Sequence, residues 1–161
     1  MHFKTNISKA ATLIVAALLF FSFTSDYVLN ARDWEKIEKS TAAIFNLGDF
    51  TFSKIRNIPN LGATQLYKIN DVGYLAFDQA PSKFHKFEYY ILFNNKGELL
   101  KIEVLNYNEN YGTEICNKRW LKQFQKINTS SFLTYNNSID GISGATLSVQ
   151  SISANSWQVT Q

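Results

Sequence analysis

The densest apolar pattern lies in the middle of the chain. Phe87-Glu88-Tyr89-Tyr90-Ile91-Leu92-Phe93 is apolar at nearly every position, and Leu100, Ile102 and Val104 then alternate with Lys101 and Glu103. Asn94-Asn95-Lys96-Gly97 between them has turn chemistry, so the two runs predict a β-hairpin. Continuous apolar character in the first run predicts a central strand covered on both faces. Residues 50–55, 64–69 and 72–77 alternate more loosely and predict three further strands. Pro59-Asn60-Leu61-Gly62 reads as a turn and Gln79-Ala80-Pro81-Ser82 as a loop. Helical periodicity appears over 33–47, where Trp34, Ile37, Thr41, Ile44 and Phe45 share a stripe, Asp33 caps and Gly48 stops. A second helix, capped by Thr113, has Cys116, Trp120, Leu121 and Phe124 as its buried stripe. A polar stretch interrupted by residues 132–135 follows. Ala145, Val149 and Ile152 then fit one face of a last helix over 147–157. The expected fold class is α+β, a mostly antiparallel sheet with helices packed on it.

One apolar run does not belong to that domain. Lys4 and Lys9 precede a stretch over 10–23 broken only by Thr12 and Ser22. A basic start before such a run reads as a signal peptide or a signal anchor. The charge bias leaves the N-terminus inside and sends the rest across the membrane. The expected organisation is a leader over 1–31, cleaved or retained as an inner-membrane anchor, and one extracytoplasmic (periplasmic) domain over 32–161.

Composition narrows the function classes. The 161 residues are 45% apolar and 15% aromatic, enough for a packed core. A net charge of +3 from scattered lysines argues against nucleic acid as a partner. The one cysteine, Cys116, precludes an intrachain disulfide or a cysteine metal cage, and its helical position predicts a core residue. With His2 and His85 the only histidines, a histidine metal site within one chain is not expected, and His85 reads as solvated. There is no phosphate-binding glycine fingerprint and no Ser/His/Asp set, so no catalytic residue is assigned. Reactivity would have to come from a cofactor.

Two stretches carry candidate chemistry. Asp140-Gly141-Ile142-Ser143-Gly144-Ala145-Thr146 is a small-residue turn leading into the last helix. Gly144 has access to positive φ, and Thr146 is expected where free backbone N–H groups favour an anion. An ordinary turn and helix cap would read the same way. Glu109-Asn110-Tyr111-Gly112-Thr113-Glu114 is the second stretch. On its own it is a glycine turn flanked by two carboxylates, Glu109 and Glu114. Paired carboxylates also suggest acid–base work, but nothing else in the chain supports hydrolysis.

The first stretch resembles the Asp-x-x-Ser/Thr-Gly-Ala-Thr flavinylation motif of the FMN-binding domain family. That family includes the flavin-carrying subunits of the sodium-pumping NADH:quinone reductase and its ferredoxin-coupled relative. Asp140, Ser143, Gly144, Ala145 and Thr146 all match it. The second stretch, with Glu109, Tyr111, Gly112 and Glu114, resembles a segment that walls the flavin in some of these domains. It departs from the Glu-Thr-Pro-Gly form by having Asn110-Tyr111 for Thr-Pro. The resemblance implies FMN joined through a phosphoester to Thr146 by a flavin transferase that uses FAD and magnesium. It assigns Ser143 to the phosphate and Asp140 to ordering the turn or aligning Thr146. The implied function is electron relay between a membrane donor and an extracytoplasmic acceptor. Two alternatives stay open: a reductase subunit acting directly on a substrate or quinone, and a flavin-free exported module binding a partner through its aromatic surface.

Overall fold

The structure, a computed structural model, describes residues 29–56, 58–125 and 138–160. The expected leader up to residue 28 and the short segment over 132–135 lie outside the described residues. The domain is α+β. Five strands form one antiparallel sheet in sequence order: β1 (Phe52–Ile55), β2 (Gln65–Ile69), β3 (Gly73–Pro81), β4 (Lys86–Asn94) and β5 (Leu99–Asn106). The helices are α1 (Ala31–Phe45), the single-turn α2 (Lys118–Leu121) and α3 (Thr146–Val159).

The apolar run of β4 is explained by period two with both faces covered. Tyr90 and Leu92 join Ile37 of α1 with Ile69, Leu75 and Phe77 in one cluster. Tyr89, Ile91 and Phe93 point the other way, into a cluster that holds Ile102, Val104, Leu121, Val149 and Ile152. Ile91 and Leu92 are fully buried, which stabilises the fold by roughly 1.5–3 kcal/mol each. The β4–β5 turn closes as expected, with the Asn94 side chain accepting from the amides of Lys96 (2.9 Å) and Glu98 (3.0 Å).

Several boundaries differ from the sequence expectation, each for a local reason. α1 starts earlier because Asn30, not Asp33, caps it, its side chain accepting from the Asp33 amide at 3.0 Å. Asp33 is instead a buried first-turn carboxylate, bonded by the side chains of Asn30 (2.6 Å) and Asn106 (3.1 Å). α1 also ends before Gly48, at left-handed Asn46, and Ile44 is exposed rather than part of the buried stripe. β3 runs through the expected loop to Pro81, which pairs with Lys86 at the strand end, where a missing N–H is tolerated. The loop is therefore shorter, from Ser82 to His85.

The expected helix after Thr113 is broken. A 3-10 turn, Thr113–Cys116, stops at extended Asn117, whose side chain caps α2 through the Arg119 amide at 2.8 Å. A second 3-10 turn, Lys122–Phe124, follows. The break resets the helical phase. Ile115, Leu121 and Phe124 are buried, while Cys116 is exposed and not a core residue. Partial desolvation of its thiol pushes its pKa up, away from the thiolate.

Strand register sets up the site. Pro81 pairs with Lys86 at one end of β3–β4, and Glu88 pairs with Asn106 near the same end of β4–β5. The β3–β4 loop and the exit from β5 therefore emerge side by side. α3 packs across β3 there, with Ser151 Oγ donating to the Pro81 carbonyl at 2.6 Å.

Candidate functional site

The last loop enters α3 through a β-turn. The Ala145 amide donates to the Ile142 carbonyl at 3.1 Å, and Gly144 sits at φ +79°, the region a type II turn requires at that position. Ala145 is buried and Thr146, the first helical residue, is exposed. The first helix bond runs from the Val149 amide to the Ala145 carbonyl (2.9 Å), and no side chain caps this end. The amides of Thr146, Leu147 and Ser148 are thus the orphan donors of a helix N-terminus, with the positive end of its dipole.

The two stretches singled out by sequence interlock. A Cβ on Gly112 would lie 2.3 Å from the Ala145 Cβ, and one on Gly144 would lie 3.1 Å from the Tyr111 Cβ. Gly112 also has φ +75°. Each glycine lets the opposite loop approach where a side chain would hold it off.

Between these loops and the β3–β4 loop lies a cleft of about 300 Å³. Of the nine residues expected at the site, Thr146, Gly144, Ala145, Glu109 and Tyr111 line it. Gly112 supports the wall from behind through Ala145. Asp140, Ser143 and Glu114 are exposed and are not among the lining residues. Asp140 fixes the loop through its backbone: its amide donates to Gln123 Oε1 (2.8 Å), and its carbonyl accepts from Trp120 Nε1 (2.9 Å).

Sequence alone gave no site role to Lys83, Phe84, Tyr107, Asn110, Leu147 or Ser148, which also line the cleft. Phe84, Tyr111 and Leu147 are 73%, 76% and 55% exposed, three large apolar side chains in water around one opening. The signal for Phe84 was an aromatic ring stranded in a polar loop. Tyr107 donates to the Tyr111 carbonyl (3.3 Å) and lies 3.1 Å from Ser148 Oγ, so it ties the Tyr111 loop to α3. Desolvation raises the Tyr107 phenol above its usual value against the Ser148 hydrogen bond, keeping it a proton donor.

Glu109, which lines the cleft, also clasps the β3–β4 loop. Its Oε1 accepts from Ser82 Oγ and from the amides of Phe84 (2.8 Å) and His85 (3.0 Å). These bonds, that of Ser82 first, hold its carboxyl below the usual glutamate range. With the folded pKa depressed, the carboxylate's hold on the loop is complete above the ordinary value and is lost as pH falls through the folded pKa. The amide proton shifts of Phe84 and His85 should titrate together, with a midpoint below the ordinary 4.5, and should stay flat in Glu109→Gln. A midpoint at or above the ordinary value would contradict this.

The lining suits a phosphorylated aromatic ligand. The uncapped helix end and Lys83 favour an anion, and the exposed rings and Leu147 offer a flat apolar group something to cover. Among the described residues, no group of three or more His, Cys, Asp or Glu side chains is placed to hold a metal ion. No described helix is long and apolar enough to cross a membrane.

Residues 85–159 match the family model of the FMN-binding domain. The match takes in β4, β5, the Gly112 loop and α3 with Thr146; Lys83 and Phe84 precede it. No curated protein matches the chain.

Proposed function

We propose, from the premise that residues 85–159 form an FMN-binding domain, that the chain carries FMN on Thr146 and relays electrons outside the cytoplasm. One observation carries the reading. The Thr146 hydroxyl belongs to an exposed residue in the first turn of an uncapped helix, inside a cleft rimmed by Phe84, Tyr111 and Leu147. A phosphate held there meets backbone donors and the positive end of the helix dipole. The apolar rim covers a ring system that would otherwise stand in water.

A flavin supplies two-electron acceptance with one-electron release. The chain's own residues bind it, orient it and limit its contact with water. Attachment is the work of a separate flavin transferase with FAD and magnesium. A bond forms from Thr146 Oγ1 to the FMN phosphorus as the pyrophosphate bond of FAD breaks. AMP leaves, and the hydroxyl proton passes to a base on the transferase. Gly144 and Ala145 keep large side chains away from the acceptor oxygen. Asp140 and Ser143, exposed on the same loop, belong to the surface a transferase would cover. The N-terminal apolar stretch, as an export signal or anchor, is consistent with a tethered flavin working beside a membrane donor.

The test is co-expression of the full chain with a flavin transferase, followed by intact-mass measurement. The expected result is a gain equal to FMN less water, with flavin absorbance that bleaches on reduction and returns on reoxidation. An unmodified chain would overturn covalent attachment.

A further inference from the structure

Part of the cleft wall, Lys83 and Phe84, precedes the family match and belongs to the loop from Ser82 to His85. Three facts set it apart from an ordinary surface turn. First, it is pinned. The Ser82 amide bonds to the His85 carbonyl (2.8 Å), and Glu109 takes the Ser82 hydroxyl and the amides of Phe84 and His85. Second, this pinned loop holds the Phe84 ring 73% exposed at the cleft. Third, Lys83 Nζ lies 4.9 Å from the centroid of that ring. Lys83 is the one cation among the lining residues. The one lining anion, Glu109, has Oε1 already engaged with the loop.

We infer that this loop tunes the flavin: Phe84 covers the ring, and Lys83 places positive charge beside it and raises its reduction potential. The inference rests on the FMN reading above. A flavin ring gains negative charge on reduction. A cation beside the ring stabilises the reduced ring more than the neutral oxidised one. A pinned loop loses little further freedom when a ligand arrives, so Phe84 is preorganised to cover an aromatic face. Glu109 is the positioning residue that holds both groups in place.

Two arms test this. In flavin-loaded full chain, Lys83→Gln should lower the midpoint potential and Lys83→Arg should keep it near wild type. Phe84→Ala should increase iodide quenching of flavin fluorescence. In Thr146→Val chain, free FMN is titrated by fluorescence, and adding Phe84→Ala should weaken binding about tenfold. Both side chains are exposed, so melting curves should match those of their parent chains. A Lys83→Gln potential equal to wild type, or unchanged quenching and affinity in Phe84→Ala, would overturn the inference. A wild type that takes no adduct, while its Thr146→Val form binds free FMN, counts against covalent attachment alone, and the titrations then decide the loop's part. A chain that neither takes the adduct nor binds free FMN overturns both.

Discussion

Thr146→Val should abolish flavin attachment while leaving the fold intact. Valine keeps the branched shape and removes the one oxygen proposed to bond the phosphate. Thr146 is exposed, so losing its hydroxyl orphans no buried group. The stability change should stay within about 0.5 kcal/mol, as for other exposed positions. Thr146→Ser retains a hydroxyl at the same helix position and should still take the adduct. The measurement is intact mass after co-expression with a flavin transferase, beside a melting curve. An adduct that persists on Thr146→Val would move the acceptor elsewhere. Ser143 would then be the next choice, because it is exposed on the same loop. Ser148 is buried and lies 3.1 Å from the Tyr107 hydroxyl, a poor position for meeting another enzyme.

Gly112→Ala should be the most destabilising single change at the site. Its φ of +75° puts an L side chain in the left-handed region, at a cost of roughly 1–2 kcal/mol. The new methyl would also lie 2.3 Å from the Ala145 Cβ, and overpacking of this kind adds about 1–3 kcal/mol. The sum is a large part of the ~5–15 kcal/mol that holds a typical domain together. Urea unfolding should show it, and flavin loading should fall because the Tyr111 loop is pushed off Ala145. Adding Ala145→Gly removes the nearest atom and should recover most of the steric part, since the Ala145 Cα at 3.1 Å remains, but not the backbone part. That non-additivity is the signature of direct contact. A Gly112→Ala chain that unfolds at the wild-type urea concentration would show that the two loops do not interlock. Gly144→Ala, facing the Tyr111 Cβ at 3.1 Å, should be milder.

The fold was largely legible because its core elements announce themselves locally. The 87–104 hairpin follows from an apolar run, a turn and an alternating run, and β4 and β5 occupy it. α3 opens at Thr146, one residue from the expected start. Misplaced boundaries fell where two local signals competed. Asn30 and Asp33 are both good caps, and only the contact with Asn106 shows why Asp33 lies inside the helix. Pro81 reads as a loop residue until its place at the end of a paired strand is known. Cys116 moved from core to surface because the extended backbone of Asn117 interrupts a helix that periodicity alone would continue.

Local sequence is enough for the alternation that makes the sheet, the small residues that open α3, and the threonine offered at its start. These are local properties, set by backbone conformational freedom and the spacing of apolar side chains along a few residues. What surrounds that threonine depends on how the strands and loops come together. Antiparallel register places the β3–β4 loop beside the exit of β5, and so brings Lys83 and Phe84 to a cleft shared with Tyr107, Tyr111 and Thr146. It also leaves Asp140 and Ser143 outside the cleft lining and makes Glu109, a residue expected at the flavin wall, the clasp of the neighbouring loop as well. The physical reason is that a side chain's neighbours across a sheet edge depend on which strands pair and in what register. No pattern along a single stretch of chain records that.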